Sequence, residues 1–138
     1  MGKIFCVMGK SSSGKDTIYE MLLSESELNL KRIIPYTTRP IREGEEEGRE
    51  YHFVTVEDVH RLDAEGKIVE LRTYHTVYGP WNYFTVNDGN IQLDKENYLV
   101  IGTVEAYTKM RDYFGEDKVI PIYIEVEDGE RLMRANGR

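Results

Sequence analysis

The chain has 138 residues, of which 40% are apolar and 31% charged, values that are ordinary for a globular protein and allow one adequate hydrophobic core. Its net charge of −7, without a long basic cluster, argues against a nucleic-acid backbone or an anionic membrane as the main partner. The single cysteine, Cys6, excludes an internal disulfide framework. Because Cys6 lies within an apolar run, we expect it to be a small buried core residue.

The amino terminus does not have the pattern of a targeting signal. The apolar run at residues 4–8 is too short for a signal peptide or a membrane-spanning helix. Residues 1–6 also lack the Ser or Thr that a myristoylation signal requires. We therefore expect a cytoplasmic protein.

A glycine-rich loop separates this first predicted strand from a predicted helix. The loop residues are Gly9, Lys10, Ser11, Ser12, Ser13, Gly14 and Lys15, and Asp16 and Thr17 follow them. Two glycines without Cβ atoms allow backbone N–H groups to turn around phosphate oxygens at the positive end of the helix. The pattern G-x-x-x-x-G-K is typical of an ATP-binding loop, in which Lys15 would reach the β- and γ-phosphates. The alternative is a glycine turn that merely caps a helix.

The residue after Lys15 departs from this pattern. A Ser or Thr usually binds magnesium at that place, whereas Asp16 occupies it here and Thr17 comes one residue later. We expect Asp16 or Thr17 to hold Mg²⁺ with ATP, directly or through water.

Strand and helix patterns alternate on both sides of the middle of the chain. A helical stripe expected to face the core consists of Ile18, Met21, Leu22 and Leu28. Short strands are predicted at 31–34, 98–101 and 119–124, the last covered on both faces. One helix is predicted to begin at Thr55, with Asp58 at its third position, and to be ended by Gly66, and another to run over 103–114 and be closed by Gly115. This alternation predicts an α/β fold, a three-layer sandwich whose parallel sheet is flanked by helices and carries the phosphate site at the carboxyl ends of its strands.

The middle of the chain begins with a long polar segment at 36–50. Its length and glycine punctuation are unusual for a simple connection and are typical of a binding loop. Arg39 and Arg42 lie three residues apart and could bind one anion together. The alternative is a solvated charged loop.

Residues 37–54 read TTRPIREGEEEGREYHFV and match the pattern T-T-R-x-x-R-x-G-E-x-x-G-x-x-Y-x-F-V. Together with the glycine loop, this motif resembles the guanylate kinases. The resemblance implies a GMP site formed by Tyr36, Thr38, Arg39, Arg42, Tyr51, Glu70 and Tyr78. In it, Arg39, Arg42, Tyr51 and Tyr78 would anchor the GMP phosphate.

Glu70 lies in a run of alternating residues at 68–75. That alternation predicts one strand face with Ile68, Glu70, Arg72 and Tyr74, and another with Val69, Leu71 and Thr73. A carboxylate there can accept hydrogen bonds from the two adjacent N–H groups of guanine, which is the role that the resemblance implies for Glu70. The alternative for a lone strand glutamate is exposure to solvent.

The base side departs from the family pattern at three places. Tyr36 stands where a serine usually helps to read guanine, and Pro80 replaces the serine that usually follows Tyr78-Gly79. Gly102 and Thr103 stand where acidic residues usually end the strand, and Glu105 could compensate for them.

Basic residues at the end of the chain complete the predicted site. The resemblance implies that Arg134 and Arg138 begin a lid that bridges the two bound phosphates, and that Lys15, Arg39, Arg134 and Arg138 are catalytic. The alternative is a solvated C-terminus. The implied organisation is a core at 1–34, a mixed α/β GMP-binding lobe at 35–88, and the core continued at 89–138 with the lid starting at 134–138. The family domain normally continues beyond such a point.

The favoured function is Mg²⁺-dependent transfer of the ATP γ-phosphoryl group to GMP, with ATP and GMP bound in separate lobes. One alternative keeps the fold and the ATP site but changes the acceptor, for example to a ribose phosphate. Another is a non-catalytic guanylate-kinase-like binding module. The sequence leaves the oligomeric state open.

Overall fold

The computed structural model describes residues 2–10 and 13–125. In chain order its elements are β1 (Ile4–Gly9), α1 (Lys15–Ser24), β2 (Leu30–Arg32), β3 (Tyr36–Thr37), β4 (His52–Phe53), α2 (Val56–Ala64), β5 (Ile68–Thr76), β6 (Gly79–Val86), β7 (Asn97–Ile101), α3 (Val104–Phe114) and β8 (Val119–Ile124). They form two compact units: the chain up to residue 32 with the chain from residue 92 onward, and residues 33–91.

The first unit is built on a four-stranded sheet in the order β2-β7-β1-β8, and every pair in it is parallel. Its central strands carry the core, with Ile4, Cys6 and Val7 of β1 and Leu99 of β7 fully buried. A run of apolar residues suits such a strand because both of its faces are covered. The prediction that Cys6 is a small buried core residue is confirmed.

The two helices of this unit lie on opposite faces of the sheet. The crossover from β1 through α1 to β2 passes over β7, whereas the crossover from β7 through α3 to β8 passes over β1 in the opposite direction. Since such connections are right-handed, two that run in opposite directions place their helices on different faces. The predicted α/β sandwich with a parallel sheet between helices is confirmed.

The apolar stripe predicted after the glycine loop is only partly correct. Ile18 and Leu22 are half-buried, but Met21 is 65% exposed and Leu28 is 44% exposed. Leu28 cannot continue the stripe because α1 ends at Ser24. The strand that follows is Leu30–Arg32, so the prediction of a strand at 31–34 placed it too late.

The prediction that residues 119–124 are covered on both faces is wrong. Among the described strands, β8 is at the edge of its sheet, and Pro121 and Tyr123 are exposed. An edge position also explains how Pro121, which has no N–H to donate, is accommodated within a strand.

The second unit contains a mixed sheet in the order β4-β3-β6-β5, in which β3 and β4 are parallel and the other pairs antiparallel. Its core consists of Leu62, Phe84 and Val86. Helix α2 covers this core and starts with a capping box, because the Thr55 and Asp58 side chains bond each other's backbone N–H.

A β-bulge in β5 overturns the predicted alternation of its first residues. Ile68 pairs with Val86 and Glu70 pairs with Thr85, so Val69 is an extra residue between them. Ile68 consequently packs against the core cluster, on the sheet face opposite to Glu70. The prediction that Ile68 and Glu70 share a face is wrong, whereas Arg72 and Tyr74 do share the face of Glu70 by register.

Candidate functional site

The glycine loop of the first unit has the geometry of a strand-to-helix turn. Gly9 ends β1, and Gly14 precedes the first residue of α1 with φ of 87°, a left-handed conformation that favours glycine. The Ser13 N–H donates to the Lys10 carbonyl at 3.1 Å, which closes the turn. The free N–H groups at the start of a helix form the positive end to which phosphates bind. Two residues of the predicted loop, Ser11 and Ser12, lie outside the described residues.

Close packing around Gly9 keeps this loop tight. A Cβ atom on Gly9 would lie 2.7 Å from Ser13 Oγ and 2.9 Å from the Ile124 carbonyl oxygen, and the second contact, with backbone, cannot be relieved without moving the chain. Lys15 is half-buried, and its Nζ donates to the Gly9 carbonyl at 3.1 Å. The ammonium group therefore lies over the loop, and its role in nucleotide binding stays a prediction.

Asp16 and Thr17 are exposed in the first turn of α1. Within residues 2–10 and 13–125 there is no group of three or more His, Cys, Asp or Glu residues that could hold a metal ion by itself. Asp16 and Thr17 offer oxygen ligands only, and Mg²⁺ prefers one or two protein oxygens completed by water and substrate phosphates. These two residues therefore fit the predicted magnesium ion.

Arg39 is a buried cation of the second unit that several groups hold in place. It is 4% exposed, and its Nη1 and Nη2 donate to the two carboxylate oxygens of Glu45 at 3.1 and 3.0 Å. Nη1 also donates to the Pro40 carbonyl at 3.1 Å, and the guanidinium lies over the rings of Tyr51 and Phe53 at 5.3 and 5.7 Å. The hydrogen bond to Glu45 is the main reason why the pKa of Arg39 is raised.

Glu45 is the residue that our sequence reasoning missed. Besides binding the Arg39 side chain, its Oε1 accepts from the backbone N–H of Arg42 at 2.8 Å, and the Arg39 hydrogen bond is the largest cause of its lowered pKa. Glu45 thereby connects the two predicted phosphate-binding arginines, although the Arg42 side chain itself is exposed. A glutamate in an acid-rich loop gave no signal for this role beyond its place in the motif.

Glu70 is buried on one face of the mixed sheet. Its side chain is only 3% exposed, which rules out the alternative of a solvated glutamate. Oε1 accepts from Arg72 Nε at 3.1 Å, and Oε2 accepts from the Thr85 hydroxyl at 2.7 Å. A row of rings leads from this face to Arg39: Tyr74 and Tyr83 have centroids 5.5 Å apart, and Tyr83 and Tyr51 have centroids 5.6 Å apart. The structure thus places Arg39 against Tyr51, and Glu70 on the sheet face of Tyr83 by strand register.

Thr38 and Tyr78 lie at other points of the same unit. Thr38 continues the pairing of β3 with β6, and its hydroxyl accepts from the Asn82 N–H at 2.9 Å. Tyr78 lies in the turn between β5 and β6, is 82% exposed and stacks on Trp81 at 6.1 Å between centroids. The role of each in GMP binding stays a prediction.

Tyr36 is not brought together with these residues. It pairs with Phe84, so its ring lies on the core face, 5.5 Å from Phe84 and 4.7 Å from His52. Its hydroxyl donates to Asp88 at 2.7 Å, and burial, followed by this hydrogen bond, raises the pKa of Tyr36. The fold therefore gives Tyr36 a packing role and places it on the sheet face opposite to Glu70.

Comparison with known protein families identifies the family of this chain. The family model for guanylate kinase matches residues 1–136. The chain belongs to the guanylate kinase family. It is 33% identical over 126 residues to a guanylate kinase of Porphyromonas gingivalis, an alignment that covers 90% of this chain and 65% of that protein. It is 32% identical over 138 residues to one of Anaplasma phagocytophilum, with 97% and 62% covered.

A solved structure gives the same result for the guanylate kinase fold. The crystal structure of guanylate kinase from Anaplasma phagocytophilum matches with a TM-score of 0.64 and 28% identity, and covers 96% of this chain. The match takes in 65% of that structure, so the chain spans less than two thirds of the length of each of these relatives. No helix in the described parts of the chain is both long and apolar enough to cross a membrane.

Two further predicted groups have roles that stay predictions. Arg134 and Arg138, predicted to begin the lid, lie outside the described residues. Glu105 is exposed in the first turn of α3, and Thr103 caps that helix by accepting from the Ala106 N–H at 3.1 Å. A base-side role for Glu105 stays a prediction.

Proposed function

We propose that the protein is a guanylate kinase, which transfers the γ-phosphoryl group of Mg²⁺-ATP to the phosphate of GMP and gives ADP and GDP. The observation that carries the proposal is the arrangement of residues 33–91. There, the buried Arg39 packs on Tyr51, whose ring contacts Tyr83, and the buried carboxylate of Glu70 lies on the sheet face of Tyr83 by strand register. These are an anion-binding group and a pair of hydrogen-bond acceptors, which is what a nucleoside monophosphate with a guanine base requires.

For ATP, the proposed site is the glycine loop at 9–17. The backbone N–H groups at the start of α1 would bind the β- and γ-phosphates, and Lys15 would exchange its bond to the Gly9 carbonyl for a bond to a phosphate. Asp16 and Thr17 would hold Mg²⁺, which neutralises charge on the triphosphate when bound.

For GMP, Arg39 would provide the principal contact to the phosphate. Glu45 and Pro40 engage three of its five N–H groups and the Tyr83 hydroxyl hydrogen-bonds the same guanidinium, so a phosphate would bind the donor capacity that is left or displace Tyr83. Arg42 and Tyr51 would assist there. Glu70 has lone pairs left after binding Arg72 and Thr85, and these would accept from the base.

The proposed chemistry requires no general base, because the accepting phosphate oxygen is already anionic. The contribution of the protein is to position two anions and to neutralise charge on the group in transfer. We propose that Arg134 and Arg138 serve this purpose too. ATP and GMP are then the small-molecule partners, and a cytoplasmic location remains a prediction from the sequence.

An acceptor panel tests this proposal. The purified chain is mixed with Mg²⁺-ATP and either GMP, AMP or ribose 5-phosphate, and ADP release is measured together with the identity of the phosphorylated product. We expect turnover with GMP and its loss in Lys15→Met, with Lys31→Met, an exposed lysine of β2, as the matched control. Turnover only with ribose 5-phosphate would contradict the proposal in favour of another acceptor. GMP binding without turnover would favour a binding module.

A further inference from the structure

Arg72 and Glu70 form an ion pair on one face of the mixed sheet, and the guanidinium of Arg72 is its exposed part. Arg72 Nε donates to Glu70 Oε1 at 3.1 Å, and the Arg72 side chain is 37% exposed whereas that of Glu70 is 3% exposed. On the other carboxylate oxygen, Oε2, the donor is the Thr85 hydroxyl at 2.7 Å. Glu70 is therefore fixed in place by one donor on each oxygen.

Each member of this ion pair retains capacity for a ligand. A carboxylate has about four lone-pair positions, and Arg72 and Thr85 use two of those on Glu70. A guanidinium has five N–H groups, and while Nε serves Glu70 the others are carried on Nη1 and Nη2. From the Arg72 side to the Thr85 side, the surface thus offers the Arg72 guanidinium as a donor, then Glu70 Oε1 and Glu70 Oε2 as acceptors.

The order donor, acceptor, acceptor is complementary to one edge of guanine. That edge presents the O6 acceptor, the N1–H donor and the N2–H donor in sequence, and cytosine pairs with it by offering the same three groups in the same order. If Glu70 accepts N1–H on Oε1, the guanidinium beside Oε1 is next to O6. Adenine presents an amino group and an unprotonated N1 at the same two places, so its donor would face Arg72 and its acceptor would face Glu70.

We propose that Arg72 is a specificity-determining residue of the acceptor site, donating through Nη to the 6-oxo group of a purine whose N–H groups are bound by Glu70. The inference rests on the proposed function in one respect, namely that the acceptor base lies at Glu70. It extends that function by assigning selection against 6-amino purines to a residue outside the predicted site. It also offers a replacement for a hydroxyl at position 36, where the Tyr36 hydroxyl is bound to Asp88 on the opposite face.

Binding of nucleotides without ATP separates this role from catalysis. Dissociation constants for GMP, 6-thio-GMP and AMP are measured by calorimetry on the wild type, on Arg72→Met and on Arg61→Met. The 6-thio compound keeps both N–H groups but replaces O6 by sulfur, a weak acceptor. Arg61, an exposed arginine of α2, is the matched control because it also belongs to an ion pair of the same unit.

We expect Arg72→Met to lose about ten- to a hundred-fold in GMP affinity, the range for one arginine contact to a base. It should bind GMP and 6-thio-GMP equally well, whereas the wild type and Arg61→Met prefer GMP. AMP affinity should change little. An Arg72→Met protein that weakens all three ligands equally, or still prefers GMP over 6-thio-GMP, would show a merely structural ion pair and overturn the inference.

A second variant covers the case in which Arg72→Met fails to fold, as judged by circular dichroism. Arg72→Lys keeps a positive partner for the buried Glu70, but one ammonium cannot serve Oε1 and O6 with guanidinium geometry. Its preference for GMP over the 6-thio compound should therefore shrink, and an undiminished preference would contradict the proposal. If Arg72→Met loses its preference for GMP over 6-thio-GMP but the wild type shows no turnover, the proposed function alone is refuted. If the wild type turns over GMP but Arg72→Met keeps that preference, the role of Arg72 alone is refuted. If the wild type does not bind GMP, both proposals are refuted.

Discussion

Glu45 holds the guanidinium of Arg39 with both of its carboxylate oxygens, and the same glutamate accepts the backbone N–H of Arg42. One side chain in an acid-rich loop thus fixes the orientation of the buried arginine and the path of the chain that carries the second arginine. A bidentate contact of this kind determines the direction in which the remaining N–H groups of Arg39 can donate. The phosphate-binding capacity that we propose for Arg39 therefore depends on Glu45.

Glu45→Gln should destabilise the protein in a pH-dependent manner. The pKa of Glu45 is lowered below its ordinary value of 4.5 by its bond to Arg39, so the unfolded state binds more protons. The stabilisation is complete above that ordinary value and is lost as the pH falls through the lowered one. Urea unfolding followed by circular dichroism should show a deficit for the variant near about pH 7 that shrinks near about pH 3.

The exposed Glu57 of α2, replaced by glutamine, is the control for that experiment. The residual acid sensitivity of Glu45→Gln should come partly from Glu47 and Asp58, whose pKa values are also lowered, mainly by backbone hydrogen bonds to Phe53 and Thr55. A deficit that is independent of pH would mean that the Arg39–Glu45 contact contributes nothing through its charges.

Arg39→Lys should be far from conservative. An ammonium group cannot bind both oxygens of Glu45, lie flat over Tyr51 and still offer a further donor to phosphate. We expect kcat/KM for GMP to fall by about a hundred-fold or more, with KM for ATP little changed, in steady-state assays. Arg49→Lys is the control, since Arg49 is a half-exposed arginine of the same segment. Equal effects of the two changes would contradict a specific role for Arg39.

Gly9→Ala should disable nucleotide binding at the first loop. Its Cβ would meet Ser13 Oγ at 2.7 Å and the Ile124 carbonyl at 2.9 Å, so the loop or β8 has to shift. Gly102→Ala is the matched control, because its Cβ would find only the Ala106 Cβ at 3.6 Å and the Cys6 Sγ at 4.0 Å. We expect Mg²⁺-ATP affinity, measured by calorimetry, to fall at least about ten-fold in the first variant and to persist in the second. Unchanged affinity in Gly9→Ala would show that the loop is not tightly packed.

Tyr36→Phe tests whether Tyr36 binds substrate or supports the fold. The change removes a hydroxyl that donates to Asp88 at 2.7 Å and leaves the ring in its place against His52 and Phe84. We expect a loss of about 1 kcal/mol in the free energy of unfolding. The dissociation constant for GMP should not change. A marked loss of GMP affinity with unchanged stability would show that Tyr36 contacts the base of GMP after all.

Much of the fold could be predicted because local chemistry determines it. Thr55 and Asp58 form a capping box at the start of α2, Gly115 ends α3, and the glycine loop joins a buried strand to a helix. These features depend on residues within a few positions of one another. The 37–54 motif likewise identified Arg39 and Tyr51, which the structure places in contact.

The features that were predicted wrongly are those that depend on residues distant in the sequence. Met21 was expected in the core by its spacing, but burial requires a surface to pack against, and the residue is 65% exposed. Residues 119–124 look like a central strand, but only the sheet order reveals an edge. The bulge at Val69 places Ile68 on the face opposite to Glu70, a shift that alternation in one strand cannot reveal.

The sequence by itself determined that the chain has an α/β fold with a phosphate-binding loop and a second motif rich in arginine, since spacing and residue type suffice for these. Only the tertiary structure decided that Glu45 binds Arg39, that Arg72 and Thr85 bind Glu70, and that Tyr36 packs away from both. The physical reason is that hydrogen-bond partners and sheet faces are selected by strand pairing across long stretches of chain, and composition and spacing contain no information on which partner is near.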